Sequence, residues 1–179
     1  MWALVEDSKI SKVYNKPTQL TIGDVKYPSN IHSLWSEAEL KAIGIYEVII
    51  DNTNYKDPEY YINTNQSFAF ASNKVTATYG TATAKDLDTL KTEHCQRIDN
   101  QAYGLLQPND WMVVRNAESS KAIPSDWLDY RVGVRTAATD MKTKINAVAN
   151  VDALADLYKY NDATPPVRPL GEFPTPPTS

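Results

Sequence analysis

Two apolar stripes with helical spacing, in the second half of the chain, constrain the fold more than any other feature. Mostly apolar residues recur every three or four positions between Leu87 and Leu105, and again between Trp127 and Val148. This spacing places them on one face of a helix of 3.6 residues per turn and predicts two amphipathic helices that form an antiparallel hairpin. The stripes are Leu87, Leu90, His94, Ile98, Ala102 and Leu105, then Trp127, Tyr130, Val134, Ala138, Met141, Ile145 and Val148.

A short helix is predicted between the two long ones. Pro108 interrupts the first helix, and Asn109 or Asp110 can cap the short one. Ser125 is a good N-cap for the second long helix, and one more short helix follows at 152–160. The apolar residues of the helix between the stripes are Trp111, Val114 and Ala117.

The stretch from Arg97 to Arg135 concentrates tryptophan, aspartate and arginine. We expect Trp111 and Trp127 to pack between the helices, while Asp110 caps one helix and pairs with an arginine of the other. When such a pair is buried, it mainly fixes the register of the helices. The residues to which we assign this structural or interaction role are Asp110, Trp111, Arg115, Trp127, Tyr130, Arg131 and Arg135.

The first 80 residues predict a β-rich domain with one short helix. Asp7-Ser8 and Gly23-Asp24 are typical of hairpin turns, the latter of type II′. Ser36 and Glu39 form a capping box, and Gly44 marks the end of that helix. Residues 45–50 are interpreted as a buried strand, and the last three strands as a meander with turns at Thr64-Asn65 and Ser72-Asn73. Strands are predicted at 2–6, 9–14, 20–22, 25–27, 45–50, 60–63, 67–70 and 74–79.

Composition changes near residues 80–86, where strand formers give way to Ala, Lys, Asp, Leu and Glu. The sequence therefore predicts an α+β fold with three parts. A β-rich head domain covers 1–80, a helical hairpin or small bundle covers 86–160, and a proline-rich tail covers 161–179. Closely spaced prolines predict that the tail is extended or polyproline-like.

Charge and composition argue against several classes of protein. The net charge is −4, without a local run of Lys and Arg, so we expect no nucleic-acid partner. No apolar run approaches the roughly 20 residues that span a membrane, and the first residues do not resemble a signal peptide. One cysteine excludes an internal disulfide, and two distant histidines predict neither a metal site nor a cofactor.

Catalytic motifs are missing, and the residues that remain have structural interpretations. Adjacent helical residues point about 100° apart, so His94 and Cys95 do not form a nucleophile and base on one face. The carboxylate pairs lie at helix beginnings, where the helix dipole favours negative charge. We therefore expect that the protein is not an enzyme. The pairs are Asp86 with Asp88 and Asp126 with Asp129.

Aromatic residues near predicted loops leave two interpretations open. They suit a protein interface or a sugar-stacking surface, and equally a half-buried β-sheet. The tyrosines concerned are Tyr55, Tyr60, Tyr61, Tyr79 and Tyr103.

The order of residues in the helical part resembles the helical hairpin of tailed-phage tail-fibre assembly and tail-assembly-chaperone proteins. The segments MWALVEDSKISKVY and PSNI to LWSEAELKAIGIY also resemble the β-rich head of phage tail-associated proteins, particularly virion proteins of marine myoviruses. Together the similarities cover about residues 1–50 and 97–148. In the helical part they are carried by Arg97, Leu106, Asp110, Trp111, Arg115, Glu118, Pro124, Trp127, Tyr130, Arg131 and Arg135.

This resemblance implies a protein without catalytic, cofactor or metal residues. The expected function is that of a structural protein in the tail or baseplate region of a virion, made in the host cytoplasm. Its expected partners are other tail, baseplate or fibre proteins, and we expect a homo-oligomer or symmetric assembly. The alternative is a soluble tail-fibre assembly chaperone absent from the virion, although the sequence DWMVVRNAE departs from the chaperone branch. A fibre-associated glycan-binding or hydrolytic protein is a more distant alternative.

Overall fold

The computed structural model describes residues 1–178 and confirms the α+β class, with β-strands first and helices after them. The chain forms two compact units, Met1–Thr83 and a second unit that begins at Ala84. Ser179, the last residue of the predicted tail, lies outside the described residues. The strands are β1 (Trp2–Glu6), β2 (Lys9–Tyr14), β3 (Leu20–Ile22), β4 (Val25–Tyr27), β5 (Ile45–Asp51), β6 (Tyr61–Ile62), β7 (Gln66–Ala71), β8 (Lys74–Tyr79) and β9 (Thr83–Ala84).

Five strands form the main sheet of the first unit, in the order β2-β1-β5-β8-β7. Strands β1 and β5 are antiparallel, β7 and β8 form an antiparallel hairpin, and β5 runs parallel to β8. The predicted meander is therefore wrong in two respects. Strand β6 pairs with β9 instead of β7, and β8 pairs with β5, which lies far earlier in the sequence.

Turn residues explain why two hairpins form where the sequence predicts them. Asp7 and Ser8 both have positive φ, as do Ser72 and Asn73, which is the backbone signature of a type I′ turn. In the other predicted hairpin Gly23 has a φ of 56° and Asp24 does not adopt positive φ, which fits a type II′ turn. The pairing of β1 with β2 contains a register shift, because Leu4 lies opposite Lys12 and Val5 opposite Ile10. This irregularity explains why the apolar Ile10 and Val13 do not follow a strict two-residue alternation along β2.

The main sheet is apolar on both faces near its centre. One face holds Leu4 and Ile45, which pack with residues of the following hairpin and helices. The other holds Ala3, Val48 and Val75, on which aromatic side chains of β7 pack. The interpretation of 45–50 as wholly buried is wrong at its end, because Ile49 and Ile50 are about half exposed at 51% and 47%. The two clusters of buried residues are Leu4, Leu20, Ile31, Leu40 and Ile45, and Ala3, Val48, Val75 and Ala77.

Two short helices, α1 (Ile31–Leu34) and α2 (Glu37–Ala42), precede β5. The predicted capping box is confirmed, because Ser36 Oγ accepts a hydrogen bond from Glu39 N while the Glu39 carboxylate accepts one from Ser36 N. Gly44 ends the helix with a φ of 82°, and the Val5 amide donates to its carbonyl at 2.8 Å. The turn at Gly44 thereby places the start of β5 next to β1.

In the second unit the long helices α3 (Leu87–Leu106) and α5 (Ser125–Ala147) pack against each other. Two polar contacts show their relative direction: Lys91 Nζ donates to Asn146 O, and Lys142 Nζ pairs with Asp99 at 2.6 Å. The later residue of α3 thus meets the earlier residue of α5. The antiparallel arrangement is therefore confirmed. Within residues 1–178, no helix has the length and apolar character needed to cross a membrane. Two shorter helices complete the unit, α4 (Asp110–Ser119) and α6 (Val151–Asp156).

Burial on the long helices follows the predicted stripes with one addition. The buried residues of α3 all belong to the predicted stripe, and on α5 the charged residue Arg131 is buried as well. The buried set is Leu90, His94, Ile98 and Ala102 on α3, and Tyr130, Arg131, Val134, Ala138, Met141 and Ile145 on α5.

The predicted caps of α4 and α5 are wrong. Asn109 occupies the N-cap position of α4 without a side-chain cap, since the chain enters α4 through a 3₁₀ turn and the Asp110 amide donates to Gln107 O. Helix α5 starts one residue early, at Ser125, because the extended Pro124 takes the N-cap position and its carbonyl accepts from Leu128 N. Asn150, which follows α5, caps α6 by accepting from Ala153 N at 2.8 Å.

The proline-rich tail contains no helix or strand in its described residues and packs back onto the second unit. Lys144 Nζ donates to the carbonyls of Pro169 and Leu170 at 2.8 and 3.1 Å. Leu170 is 1% exposed, and Pro174 lies close to Gly133 of α5. Residues of the tail are therefore part of the core of this unit.

Gly44→Ala is predicted to destabilise the first unit. The added Cβ would lie 2.7 Å from Val5 O, at a positive φ that alanine adopts at a cost. We expect the free energy of unfolding to fall by roughly 1–3 kcal/mol in urea titrations.

Gly104→Ala in α3 is the matched control, because a Cβ there meets no atom within 4 Å. It is expected to stabilise the second unit by about 0.5–1 kcal/mol, as Gly to Ala does in a helix interior. Equal effects of both substitutions would contradict the assignment of strain to Gly44.

Candidate functional site

The Arg131 side chain lies at the centre of the stretch from Arg97 to Arg135. Its Nη2 lies 2.7 Å from Asp110 Oδ1, and its Nη1 donates to Leu106 O at 3.1 Å. Leu106 is the last residue of α3 and Asp110 the first of α4, while Arg131 lies in the second turn of α5. One guanidinium group on α5 therefore bonds to two other helices, α3 and α4.

Burial makes this arrangement costly to disrupt. The Arg131 side chain is 5% exposed, whereas that of Asp110 is 52% exposed. A buried guanidinium without a partner carries a large desolvation penalty, and the carbonyls at the end of a helix lack partners within the helix. The Arg131 guanidinium donates to both the Leu106 carbonyl and the Asp110 carboxylate. These two bonds give the buried charge its partners and give the carbonyl at the end of α3 a donor.

Trp111 does not pack between the helices, and that prediction is wrong. Its side chain is 53% exposed, and the Arg115 guanidinium lies over its ring at 4.8 Å from the centroid. The buried residue of α4 is Met112, one position further, which turns Trp111 about 100° away from the interior. Arg115 Nε is buried and has no hydrogen-bond partner among residues 1–178.

The remaining assigned residues on α5 divide between packing and hydrogen bonding. Trp127 is half-buried and meets the buried Tyr130 edge to face, with ring centroids 5.8 Å apart. Arg135 Nη1 donates to Arg131 O at 3.4 Å, one turn back on the same helix. Arg131 is thus the arginine that pairs with Asp110, and Arg135 is not brought into the ion pair.

Helices α4 and α5 leave large apolar side chains exposed on the second unit. Trp111 and Leu128 are 53% and 48% exposed. Side chains of these types, exposed together with an arginine, are typical of protein–protein contact sites. We use the name apolar α4–α5 surface for the exposed apolar side chains of these two helices, among which Trp111 with Val114 and Leu128 with Val132 are each one turn apart on their own helix. The set is Trp111, Val113, Val114, Leu128 and Val132.

His94 and Cys95 have different partners, as the sequence interpretation requires. His94 is completely buried, with Nδ1 2.7 Å from Tyr158 Oη. Cys95 Sγ lies 3.9 Å from Asn146 Oδ1, and burial raises the pKa of its thiol. A raised pKa keeps the thiol protonated at neutral pH, where it is a poor nucleophile.

The carboxylate pairs lie at helix beginnings. Asp86 caps α3 by accepting hydrogen bonds from the Thr89 hydroxyl and amide, which lower the pKa of its carboxyl. Asp126 accepts from the Trp127 amide in the first turn of α5. In the described part of the chain, no three His, Cys, Asp or Glu side chains are grouped so that they could hold a metal ion.

The loop-associated tyrosines do not form one surface. Tyr60 and Tyr61 are buried, while Tyr55 and Tyr79 contact each other with ring centroids 4.9 Å apart. Tyr103 is 62% exposed and lies on α3, in the other unit. A half-buried sheet is the interpretation that fits the buried Tyr60 and Tyr61. Neither that interpretation nor an interface or sugar-stacking surface fits all five tyrosines.

One cavity in the first unit has no counterpart in the sequence interpretation. It measures about 170 Å³ and lies between the β1–β5 end of the sheet and the two short helices. Trp2, His32 and Trp35 line it. His32 and Trp35 are three residues apart, whereas Trp2 is about 30 residues earlier and comes beside them only through the tertiary fold, so no pattern in the sequence predicts the cavity.

Comparison with known proteins does not identify a relative. A scan against protein-family models, a search of curated proteins and a search of solved structures each found no match to this chain. A functional proposal therefore depends on the geometry of the two units and on the resemblance carried by the residues between Arg97 and Arg135.

Asp110→Asn is predicted to reduce the free energy of unfolding of the second unit by about 1.5–3 kcal/mol, because it removes the charge opposite a buried guanidinium. Asp99→Asn is the matched control. Its ion pair with Lys142 is 57% and 34% exposed on its two side chains, so its loss should cost at most about 1 kcal/mol. Urea unfolding followed by the helical circular dichroism signal measures both.

Asp110 also lies in the first turn of α4, where the helix dipole favours a negative charge. Repeating Asp110→Asn in an Arg131→Met background separates this contribution from the ion pair. If the effect of Asp110→Asn is the same in both backgrounds, the two side chains are not energetically coupled.

His32 is predicted to make the stability of the first unit depend on pH. Burial lowers the pKa of its imidazole below the ordinary 6.5, an effect that the Thr18 backbone partly offsets and the terminal amine slightly increases. The unfolded chain then binds a proton more readily than the folded chain, so stability is fully present above pH 6.5 and is lost as the pH falls. Unfolding of His32→Gln at pH 7 and pH 5 should show a smaller loss than the parent chain, and an equal loss would contradict this account.

Proposed function

We propose that the chain is a non-enzymatic structural protein of a bacteriophage virion, in the tail or baseplate region, that attaches to or connects tail fibres. It would act by protein–protein contacts, within a homo-oligomer or another symmetric assembly. The observation that carries the proposal is the apolar α4–α5 surface, which falls within the stretch that resembles the phage proteins.

The composition of this surface supports protein docking. Tryptophan and arginine dominate the binding energy of many protein interfaces, and Trp111 and Arg115 are stacked at the surface. The stack orders both side chains before a partner arrives, which lowers the entropy lost on binding.

Rigid support beneath the surface is the second argument. Arg131 fixes the start of α4 to α5 through Asp110, and Met112 buries the inner side of α4. The exposed side chains are therefore held on helices that cannot shift independently without breaking the ion pair of the buried Arg131. A preformed rigid surface suits a stoichiometric component of an assembly.

The alternative of a soluble tail-fibre assembly chaperone uses the same surface. Both candidates need a docking partner, and they differ in whether the chain stays in the finished particle. The resemblance to tail-assembly-chaperone proteins favours keeping this alternative, and the departure at DWMVVRNAE favours the virion protein.

Mass spectrometry of purified particles of the phage that encodes this chain distinguishes the two. The proposal expects a constant stoichiometry relative to other tail proteins. Absence from particles, together with co-purification of a fibre protein from lysates, would establish the chaperone. A particle that contains neither the chain nor a fibre dependent on it would contradict both.

Trp111→Ala is predicted to weaken docking without unfolding the protein. Because the side chain is 53% exposed, its removal should change the free energy of unfolding by less than about 1 kcal/mol. Loss of an interface tryptophan should cost at least about 2 kcal/mol of binding free energy. The amount of variant chain retained in particles measures the second effect.

Met112→Ala is the matched control next in sequence. Met112 is buried, so its truncation should cost about 2–5 kcal/mol of stability while leaving the exposed surface in place. If Trp111→Ala is destabilised as much as Met112→Ala, or is retained in particles like the parent chain, Trp111 is not a docking residue.

A further inference from the structure

The cavity of about 170 Å³ in the first unit has two indole walls. Trp2 lies on β1, and its ring contacts the His32 imidazole with centroids 4.5 Å apart. Trp35 lies between α1 and α2, where Tyr27 holds its ring edge to face at 5.7 Å. Both indoles are thus fixed by neighbouring rings, so the cavity has walls that do not have to be ordered when a ligand binds.

Two carboxylates line the same cavity. Glu47 lies directly opposite Trp2 in the pairing of β1 with β5, and Glu37 begins α2. Lys41 pairs with Glu37 at 2.7 Å and lowers the pKa of that carboxyl, by its hydrogen bond and then by its charge. The Glu47 residue is solvent-exposed, and its carboxylate has no hydrogen bond or ion pair with any residue in the described range 1–178. The lining therefore contains one unpaired negative charge beside an indole.

His32 adds a hydrogen-bond acceptor to this lining. The residue is 9% exposed, and neither ring nitrogen makes a hydrogen bond of good geometry within residues 1–178, the Thr18 backbone being close enough only to raise the pKa of the ring in part. Burial lowers the pKa of the ring, which is consequently neutral at pH 7 and has one nitrogen that accepts. A buried imidazole without a partner is unfavourable by itself, and a donor from a bound group would relieve that cost.

We propose that this cavity binds the cationic end of a lysine or arginine side chain from a partner protein. Indole faces attract a cation through their quadrupole, and a carboxylate neutralises it. No Lys or Arg side chain lines the cavity among the described residues; the nearest positive charges are the terminal amine, which lowers the pKa of His32, and Lys41, which Glu37 neutralises. The site lies in the first unit and does not depend on the proposed function of the apolar α4–α5 surface.

Size and polarity favour a single side chain over other guests. Pockets for drug-sized ligands measure about 300–1,000 Å³, well above this cavity. A sugar ring would also stack on indole, and the titration below includes that alternative. The charged groups of the lining are carboxylates, which favour a cation over an uncharged guest, and Leu40 and Ile45 are its apolar members.

The test is a titration of the full chain with Nα-acetyl-lysine N-methylamide and with Nα-acetyl-arginine N-methylamide, followed by NMR of the indole Nε1–H groups. We expect saturable shifts at Trp2 and Trp35 and none at Trp111 and Trp127. Each resonance is assigned from a single Trp→Phe variant. Nα-acetyl-norleucine N-methylamide, which has an apolar stem without the charge, should produce no saturable shift.

Two substitutions test whether the Glu47 carboxylate contributes to binding of the cationic probes. Glu47→Gln should weaken binding about fivefold or more, since it removes the charge and keeps the shape. Glu6→Gln, at the other end of β1 and outside the cavity, is the matched control and should leave the affinity unchanged. Thermal unfolding of both variants confirms that they are folded.

Three outcomes would overturn the proposal. Equal shifts with the norleucine compound would show an apolar pocket, and saturable shifts with N-acetylglucosamine alone would show a sugar site. The absence of any shift at Trp2 and Trp35 with either cationic probe, in a folded chain, would show that the cavity does not bind a cation.

Discussion

The second unit depends on one buried charge, the guanidinium of Arg131. It bonds to the last carbonyl of α3 and to the first side chain of α4, from a position inside α5. A buried guanidinium is stable only when its N–H groups donate hydrogen bonds, so α3, α4 and α5 must meet in one arrangement. Alternative packings of the same apolar stripes would bury the charge unpaired, and this gives the bundle its register.

The same constraint explains why Trp111 is exposed on the surface of the second unit. With Asp110 held by Arg131 and Met112 turned inward, Trp111 has to face solvent. The tail reinforces this arrangement at the other end of α5, where Lys144 bonds to its backbone and Leu170 enters the core. Helices fixed at both ends present their exposed side chains rigidly, as a docking component requires.

Local signals predicted much of the fold, and long-range pairing accounts for what they missed. Helical periodicity identified the buried faces of α3 and α5, and turn residues identified the hairpins at Asp7-Ser8 and Ser72-Asn73. The parallel pairing of β5 with β8 has no local signal, because their register is set across intervening residues. The prediction that Trp111 is buried was wrong for a related reason. Its neighbour Met112 can occupy the same interior, and tertiary packing decides which of the two side chains is buried.

Photo-crosslinking in assembled particles tests the central claim, that the apolar α4–α5 surface docks onto another tail protein, most directly. p-Benzoylphenylalanine would replace Leu128 on this surface and, as a control, Val25 in the first unit, which are 48% and 52% exposed. If the proposed function is correct, crosslinks to another protein of the particle, or to another copy of this chain, form from position 128 and not from position 25. Equal crosslinking from both positions, or none from position 128 in particles that contain the chain, would contradict it.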